Sequence, residues 1–445
     1  MTNPPTQPAI SIAIIGGGPG GLGTAIALSS LPFVSVTLYE QSPEPREVGA
    51  GISIGRNAWN VLNLLGAAEG VTGGKLGFSW QRNGRTGEPL NLDSGDVAAL
   101  GGGEKQQANG DEDPRYASIR ARRTRLQAAL LDKVPSGIIQ FGKKLVEIRD
   151  PGEGGGVALA FKDGSQAHAD FVIGADGIRS VVRRTIFPGH HLHVTGNTAF
   201  RVLIPLSSIA HVKDFPAVNG WWHGLNGHLY FARVDDESEP EPRLFEVTIR
   251  SYNEPITPDR TATWAIPATN EKILARTGEY DPRIQQVLRA VPEGEWREFA
   301  MVAGPCLAEI TAWDKVALIG DASHPLSGAF GSGAAFAMED GWILARALEV
   351  EYSRTSSTAI AIKNALEIFQ RIRGPYYERM YDFLATREKH SQGTRKEEDA
   401  DFDTIIKARI AGLGFVAGGK MDWIYKNDIE KVWNEYVAAE QAAKL

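Results

Sequence analysis

Ile12-Ala13-Ile14-Ile15-Gly16-Gly17-Gly18-Pro19-Gly20-Gly21 is the stretch that decides the fold. Four apolar residues run straight into a glycine turn, and Gly16, Gly18 and Gly21 form the spacing G-x-G-x-x-G of a strand, a phosphate-binding turn and a helix. In that arrangement Gly16 permits the tight turn. Gly18 lets a pyrophosphate approach bare backbone, and Gly21 lets the following helix pack on the strand. The helix begins Leu22-Gly23-Thr24-Ala25-Ile26-Ala27-Leu28, with its positive dipole end aimed at the phosphates. Further on, Val34-Ser35-Val36-Thr37-Leu38-Tyr39 reads as a second strand ending at Glu40. A carboxylate there accepts hydrogen bonds from an adenosine ribose and argues against a ribose 2′-phosphate. The expectation is a Rossmann-like unit that holds a dinucleotide.

The 445 residues exceed the usual single-domain length. Hydrophobic residues at 42% and charged residues at 23% are ordinary for a globular chain, and a net charge of −7 offers no basic field for nucleic acid. The single cysteine, Cys306, excludes internal disulfides, a redox-active cysteine pair and a cysteine-rich metal site, and no metal is expected. No run approaches the ~20 apolar residues of a membrane span, and the N-terminus carries no secretion signal. The reading is a soluble, cytoplasmic protein, monomer or homodimer. The terminal Ala443-Lys444-Leu445 resembles the peroxisomal address S-K-L and offers peroxisomal import as the alternative.

Beyond the first unit, Arg46-Glu47-Val48-Gly49-Ala50-Gly51-Ile52-Ser53-Ile54 is a second glycine-rich turn, leading to a helical pattern from Ala58 to Leu65. Phe78 to Gln81 and Leu90 to Leu92 read as strands around an Asn83-Gly84 turn, and Ser94 to Asp113 as a mobile loop. Arg122 to Leu131 reads as a helix with a cationic start. Val157 to Phe161 is expected to turn at Asp163-Gly164 and return through Ala169 to Ile173. From Thr195 to Thr263 the pattern becomes strand-like and aromatic, an antiparallel sheet rather than more βαβ units. Val316 to Ile319 is a short buried strand, and helical patterns dominate from Ala334 onward.

Two further motifs, Gly174-Ala175-Asp176-Gly177-Ile178-Arg179-Ser180-Val181-Val182-Arg183 and Gly320-Asp321-Ala322-Ser323-His324-Pro325, complete the pattern. With the N-terminal fingerprint, they resemble the three signature motifs of the single-component FAD-dependent aromatic hydroxylases, and the chain is most similar to the salicylate hydroxylase branch. The likeness extends through Gly224-Leu225-Asn226-Gly227-His228 to the tail around Trp423-Ile424-Tyr425. It implies an α/β fold in which a Rossmann-like FAD-binding domain (1–75, 115–185 and 303–370) is interleaved with an antiparallel substrate domain (76–114 and 186–302). A helical segment (371–445) ends the chain.

The resemblance also implies roles. Glu40 would hold the ribose, Arg123 the flavin-nucleotide chain, and Gly51 and Ile52 would lie beside the isoalloxazine. Asp176 would order a loop serving FAD and, by analogy, NADH or NADPH. Asp321 would bind the ribityl or pyrophosphate region, while the backbone of Gly331, Ser332, Gly333 and Ala334 would face the flavin carbonyl end. One departure stands out. The family's usual proline over the flavin is replaced by Gly328 within Leu326-Ser327-Gly328-Ala329-Phe330, and Phe330 is expected to reshape the pocket roof.

In this family a nicotinamide cofactor reduces FAD, and the reduced flavin activates O2 for attack on an electron-rich ring. The protein must exclude water, favour the phenolate and hold the target carbon in reach. The aromatic sheet from Phe200 to Phe245, Tyr230 included, is expected to exclude water. His228 is the preferred proton acceptor and His223 the second, while His324 reads as a loop-ordering residue. Arg250 or Arg201 could bind a substrate carboxylate, Arg201 by default holding the domain interface. The leading reading is an NAD(P)H- and O2-dependent hydroxylase of a small phenolic acid, salicylate-type and decarboxylative favoured. The alternatives are a hydroxybenzoate hydroxylase acting at another ring position, a flavin dehydrogenase without oxygen transfer, and a non-catalytic flavin-binding protein.

Overall fold

The structure is a computed structural model that describes residues 9–45, 51–76, 80–90, 116–150, 152, 155–255, 265–394, 401–410 and 421–443. Arg46 to Ala50 of the second glycine turn, Phe78, Leu92, the stretch from Ser94 to Asp113, the last residues of the expected aromatic sheet and the terminal Lys444-Leu445 lie outside the described residues.

The strand Ile10–Ile15 lies inside a six-stranded sheet. The order is Thr311–Ala312, Val316–Leu318, Phe171–Gly174, Ile10–Ile15, Val34–Tyr39 and Ile139–Gln140. All neighbours are parallel except the first pair. Strands buried on both faces need apolar side chains at successive positions, which is what Ile12 to Ile15 and Phe171 to Ile173 supply. The helix Pro19–Ser29 packs on the helix Gly333–Arg354 at backbone range. A Cβ on Gly341 would stand 2.0 Å from Thr24 Oγ1, and one on Gly20 would stand 2.7 Å from the Ala337 side chain. The chain therefore builds this unit in three visits, from the N-terminus, from the middle and from beyond residue 310.

One expectation is corrected here. The strand returning from Asp163-Gly164 stops at Ala169, pairing antiparallel with Val157–Phe161, and Phe171–Gly174 belongs to the parallel sheet. Asp170 makes the switch: its carboxylate accepts from the Ser11 amide at 2.8 Å and the Ser11 hydroxyl at 2.6 Å, pinning the chain beside the first strand.

The second large sheet has seven strands. They run in the order Ile266–Pro267, Arg297–Ala303, His193–Pro205, Leu244–Ser251, Gly227–Arg233, Gly220–Gly224 and Trp80–Asn83. All are antiparallel except the last pair. Successive side chains in a strand face opposite ways. Phe200, Val202, Trp222, Phe231, Phe245 and Val247 form a core with Ile273, Ile284, Val287 and Leu288 of the helices Asn270–Thr277 and Pro282–Arg289. Each large side chain in such a core is worth about 1.5–3 kcal/mol of burial. The other face carries Arg201, Thr248 and Tyr230 as one cross-strand row, Arg250, His228 and His223 as the next, and Glu246 beside them. This overturns the expectation that the aromatic residues wall the reaction space. Phe200, Trp222, Phe231 and Phe245 point to the far side, and of the aromatic run only Trp221 and Tyr230 share the polar face.

A small sheet of Gly51–Ile54, Ile119–Arg122 and Gly74–Lys75 lies between the two. The C-terminal helices Thr358–Thr394, Asp422–Tyr425 and Ile429–Ala442 pack on the parallel-sheet unit, with Ile424, Ile429 and Trp433 in its core.

Candidate active site

The glycine turn has the geometry its spacing demands. Gly16 adopts φ +110°, and a Cβ on Gly21 would lie 1.9 Å from the Gly16 carbonyl oxygen, so both positions accept only glycine. Gly18 differs, because its Cβ would meet nothing within 4 Å. Its bare backbone opens onto space at the start of the Pro19–Ser29 helix, whose first turn has no side-chain cap. Glu40 closes the same corner, with Oε2 accepting from the Gly17 amide at 2.6 Å and Oε1 from the Ser42 amide at 2.7 Å. Each oxygen keeps a second lone pair for a ribose hydroxyl.

The two later motifs are tied together by Arg183, which the sequence reading quoted without giving it a role. Its guanidinium donates to the carbonyls of Asp321 (3.0 Å) and Ala322 (2.8 Å) and also to that of Ile178. Asp176 Oδ2 accepts from the amides of Val181 and Val182, holding the start of the short helix Val181–Ile186. Burial raises the Asp321 carboxyl above its ordinary value, with Arg123 and Arg183 pulling it back. Gly331, at φ +68°, precedes the Gly333–Arg354 helix, which has no side-chain cap either, and a Cβ on Gly333 would stand 3.8 Å from Asp321 Oδ1. An uncapped turn beside a buried carboxyl and a second uncapped turn at Gly18, on two helices packed together, fit a long dinucleotide whose phosphates and ring carbonyls would take backbone N–H groups.

Gly328 also has a physical reason. It sits at φ +68°, which the proline ring, fixed near −65°, cannot adopt. Phe330 is a correction: its ring is buried in the core, 6.4 Å from Phe336 and 6.0 Å from Phe383, rather than forming a pocket roof. His324 stacks on Tyr377 at 3.9 Å, and burial holds it near pKa 3, so it stays neutral and structural.

The polar face of the seven-stranded sheet meets this unit at Gly51, where a Cβ would fall 2.3 Å from Glu246 Oε2 and 2.6 Å from Arg120 Nε. Arg120 and Glu246 form a two-point ion pair there. Ile52 pairs with Ala121 in the small sheet. Arg201, half-buried, has its Nε enclosed without a hydrogen-bond partner among the described residues. Burial lowers its pKa to about 10; Glu246 opposes that shift, while Arg120, Arg250 and Arg123 add to it. Arg120, Arg250 and Arg123 thus stand near Arg201 and Glu246.

The histidines stand in the adjoining row, His223 opposite His228 and His228 opposite Arg250. His228 Nδ1 lies 2.7 Å from the Tyr252 hydroxyl and His223 Nε2 lies 2.7 Å from Gln81 Oε1. Tyr230 lies under Arg120, 5.3 Å from ring centre to guanidinium, and burial pushes its pKa up to about 12. Sequence reading missed Glu246, Arg120, Gln81 and Tyr252. The alternation Phe245-Glu246-Val247-Thr248-Ile249-Arg250 was the available signal for a polar face.

The FAD binding domain family matches residues 9–363. The chain belongs to that family. It is 26% identical to a salicylate hydroxylase of Pseudomonas putida, over 95% of this chain and 93% of the relative. It is 29% identical to a 3-hydroxybenzoate 6-hydroxylase of Polaromonas naphthalenivorans, over 94% and 96%. Among solved structures, a salicylate hydroxylase substrate complex superposes with a TM-score of 0.72 at 22% identity, covering 96% of this chain and 98% of the other. Fold, motifs and relatives together make the chain a salicylate hydroxylase-like, FAD-dependent aromatic monooxygenase. Among the described residues, no helix is long and apolar enough to cross a membrane and no side-chain cluster could hold a metal ion.

Proposed function

We propose that the protein uses NADH or NADPH and O2 to hydroxylate a small phenolic ring bearing a carboxylate, with decarboxylative, salicylate-type chemistry the favoured outcome. The observation that carries this reading is Arg201, enclosed on the polar face with its Nε unpartnered among the described residues. A carboxylate offers the two acceptors that a guanidinium fork satisfies, and a desolvated pair of this kind fixes orientation as well as affinity.

FAD, when bound, would carry the two electrons taken from NADH or NADPH to O2, one atom of which enters the ring and the other leaves as water. Glu40, Gly18, Asp321 and the Gly331–Ala334 turn would hold it, with Arg123 beside Asp321. Arg201 would anchor the substrate carboxylate, Arg250 adding charge from the neighbouring strand. His228, backed by the Tyr252 hydroxyl, would take the phenol proton, and His223, held by Gln81, would orient the ring hydroxyl or share that proton. With Phe200, Trp222, Phe231 and Phe245 on the far face, water exclusion falls to Trp221, Tyr230 and the bulk of the substrate itself.

The test is NADH and NADPH oxidation by FAD-loaded protein across a panel of hydroxybenzoates, with ring product and hydrogen peroxide measured together. Oxidation matched by product supports the reading and names the ring. If none of the phenols stimulates oxidation, the phenolic-acid reading falls.

A further inference from the structure

The peptide between Phe330 and Gly331 is gripped from an unexpected direction. The Tyr425 hydroxyl, 95 residues later in the chain, donates to the Phe330 carbonyl at 3.1 Å. Tyr425 ends the short helix Asp422–Tyr425, which is itself well seated. Ile424 is fully buried, and the Trp423 ring packs edge-on against Tyr376 at 5.4 Å and beneath the Arg379 guanidinium at 4.0 Å. Two residues on, Asn427 donates to Glu339 Oε1 at 3.0 Å, and its carbonyl accepts from Asn60 at 3.0 Å.

A trans peptide is planar, so its C=O and the following N–H point in opposite directions. Holding the Phe330 oxygen toward Tyr425 therefore aims the Gly331 N–H the other way, off the side of the turn that precedes the Gly333 helix. Glycine takes either sign of φ at little cost, so this peptide could otherwise turn over. Gly331 sits at φ +68°, with nothing among the described residues within 4 Å of the place its Cβ would occupy. The rest of the segment is held by local bonds, Leu326 N–H to His324 O and Ala329 N–H to Leu326 O.

We infer that Tyr425 is a positioning residue for the cofactor, its hydroxyl locking the Phe330–Gly331 peptide so that the Gly331 amide faces the flavin. The inference rests on placing the flavin carbonyl end at the Gly331–Ala334 turn. A correctly aimed N–H stabilises the negative charge that the ring gains on reduction more than it stabilises the oxidised ring, so the lock favours the reduced form.

The experiment compares Tyr425→Phe with Asn427→Ala in FAD-loaded protein, reading the flavin midpoint potential, the FAD dissociation constant of the apoprotein and the thermal midpoint. Phenylalanine keeps the packing and removes only the hydroxyl, whereas Asn427→Ala loosens the C-terminal segment without touching the Phe330 carbonyl. The expected result is a potential lowered by about 30 mV in Tyr425→Phe, a tenfold loss of preference for the reduced form in a two-electron couple, and an unchanged potential in Asn427→Ala. Equal potentials in wild type and Tyr425→Phe overturn the inference, as does an equal drop in both variants, which marks a purely structural anchor. Wild-type protein that binds no FAD sinks the placement on which the inference rests, an outcome visible before either variant is compared.

Discussion

Arg120 of the small sheet and Glu246 of the seven-stranded sheet form a two-point ion pair, Nε to Oε2 at 2.6 Å and Nη2 to Oε1 at 2.9 Å, with the Glu246 side chain fully enclosed. Burial alone would raise the Glu246 carboxyl, but Arg120 and Arg201 more than reverse this and leave it below its ordinary value. A depressed carboxyl contributes stability above the unfolded-state pKa and loses it as pH falls through the folded one. Glu246→Ala strands a buried guanidinium and is expected to cost about 3–5 kcal/mol at neutral pH, read as a shifted denaturant midpoint. Replacing both partners, Arg120→Met with Glu246→Leu, should recover most of that loss. A single variant as stable as wild type would show that the pair contributes little.

Two glycines of one motif should respond in opposite ways. Gly18→Ala places its methyl in open space, so the apoprotein should melt as wild type does while FAD affinity falls at least tenfold. Gly21→Ala drives a Cβ to 1.9 Å from the Gly16 carbonyl and should lower the melting temperature of the apoprotein itself. Calorimetry with and without FAD checks both.

On the polar face, Arg201→Lys keeps the charge but removes the fork. It should raise KM for a carboxylated phenol roughly tenfold to a hundredfold, at about 1.5–3 kcal/mol for a charged hydrogen bond. Methyl esters of the same phenols should be nearly indifferent to the change. His228→Gln should lower kcat by a factor of about 10² to 10⁴ while leaving FAD affinity intact. Steady-state kinetics on both variants separates anchoring from proton transfer, and an unchanged kcat in His228→Gln would remove that histidine from the chemistry.

Glu339 lies enclosed on the Gly333 helix, and burial pushes its carboxyl up to about 7, with Arg373 and Asn427 pulling the other way. Its folded pKa stands above the unfolded one, so the folded state holds the proton more tightly between about pH 4.5 and 7. Its contribution is full below that window and is lost as pH rises through it, by at most about 3 kcal/mol at 1.4 kcal/mol per unit. Glu339→Gln keeps an acceptor for Asn427 and should flatten this part of the stability profile. Urea titrations at pH 5 and pH 8 give the comparison.

Much of the fold was legible because it rests on local rules. A glycine spacing after an apolar strand fixes a turn, and the runs at Val34 and Val316 name their own strands. The return through Ala169 to Ile173 was misread because its break is made by Asp170 reaching Ser11, a contact across 159 positions that no window contains. The aromatic run was misread for another reason. Composition shows that a strand is aromatic, but only its alternation tells which face each ring takes, and Trp221-Trp222 splits between the two. The glycine turn at Gly16–Gly21 was readable from its motif. Arg201 and Arg250 were named from the sequence, but their joining with Arg120 and Glu246 was not legible, since these residues come from separate strands that only the pairing brings together.

The three visits of the chain to the parallel-sheet unit set an order of events during synthesis. When the first 200 residues have left the ribosome, the phosphate turn and the Gly174–Arg183 motif exist, but the Gly320 motif and the Gly333 helix that faces them do not. The segment that grips the Phe330 peptide, carrying Tyr425, emerges later still. The parallel-sheet unit therefore stays incomplete until its third visit has been made, and the early motifs wait for their partners.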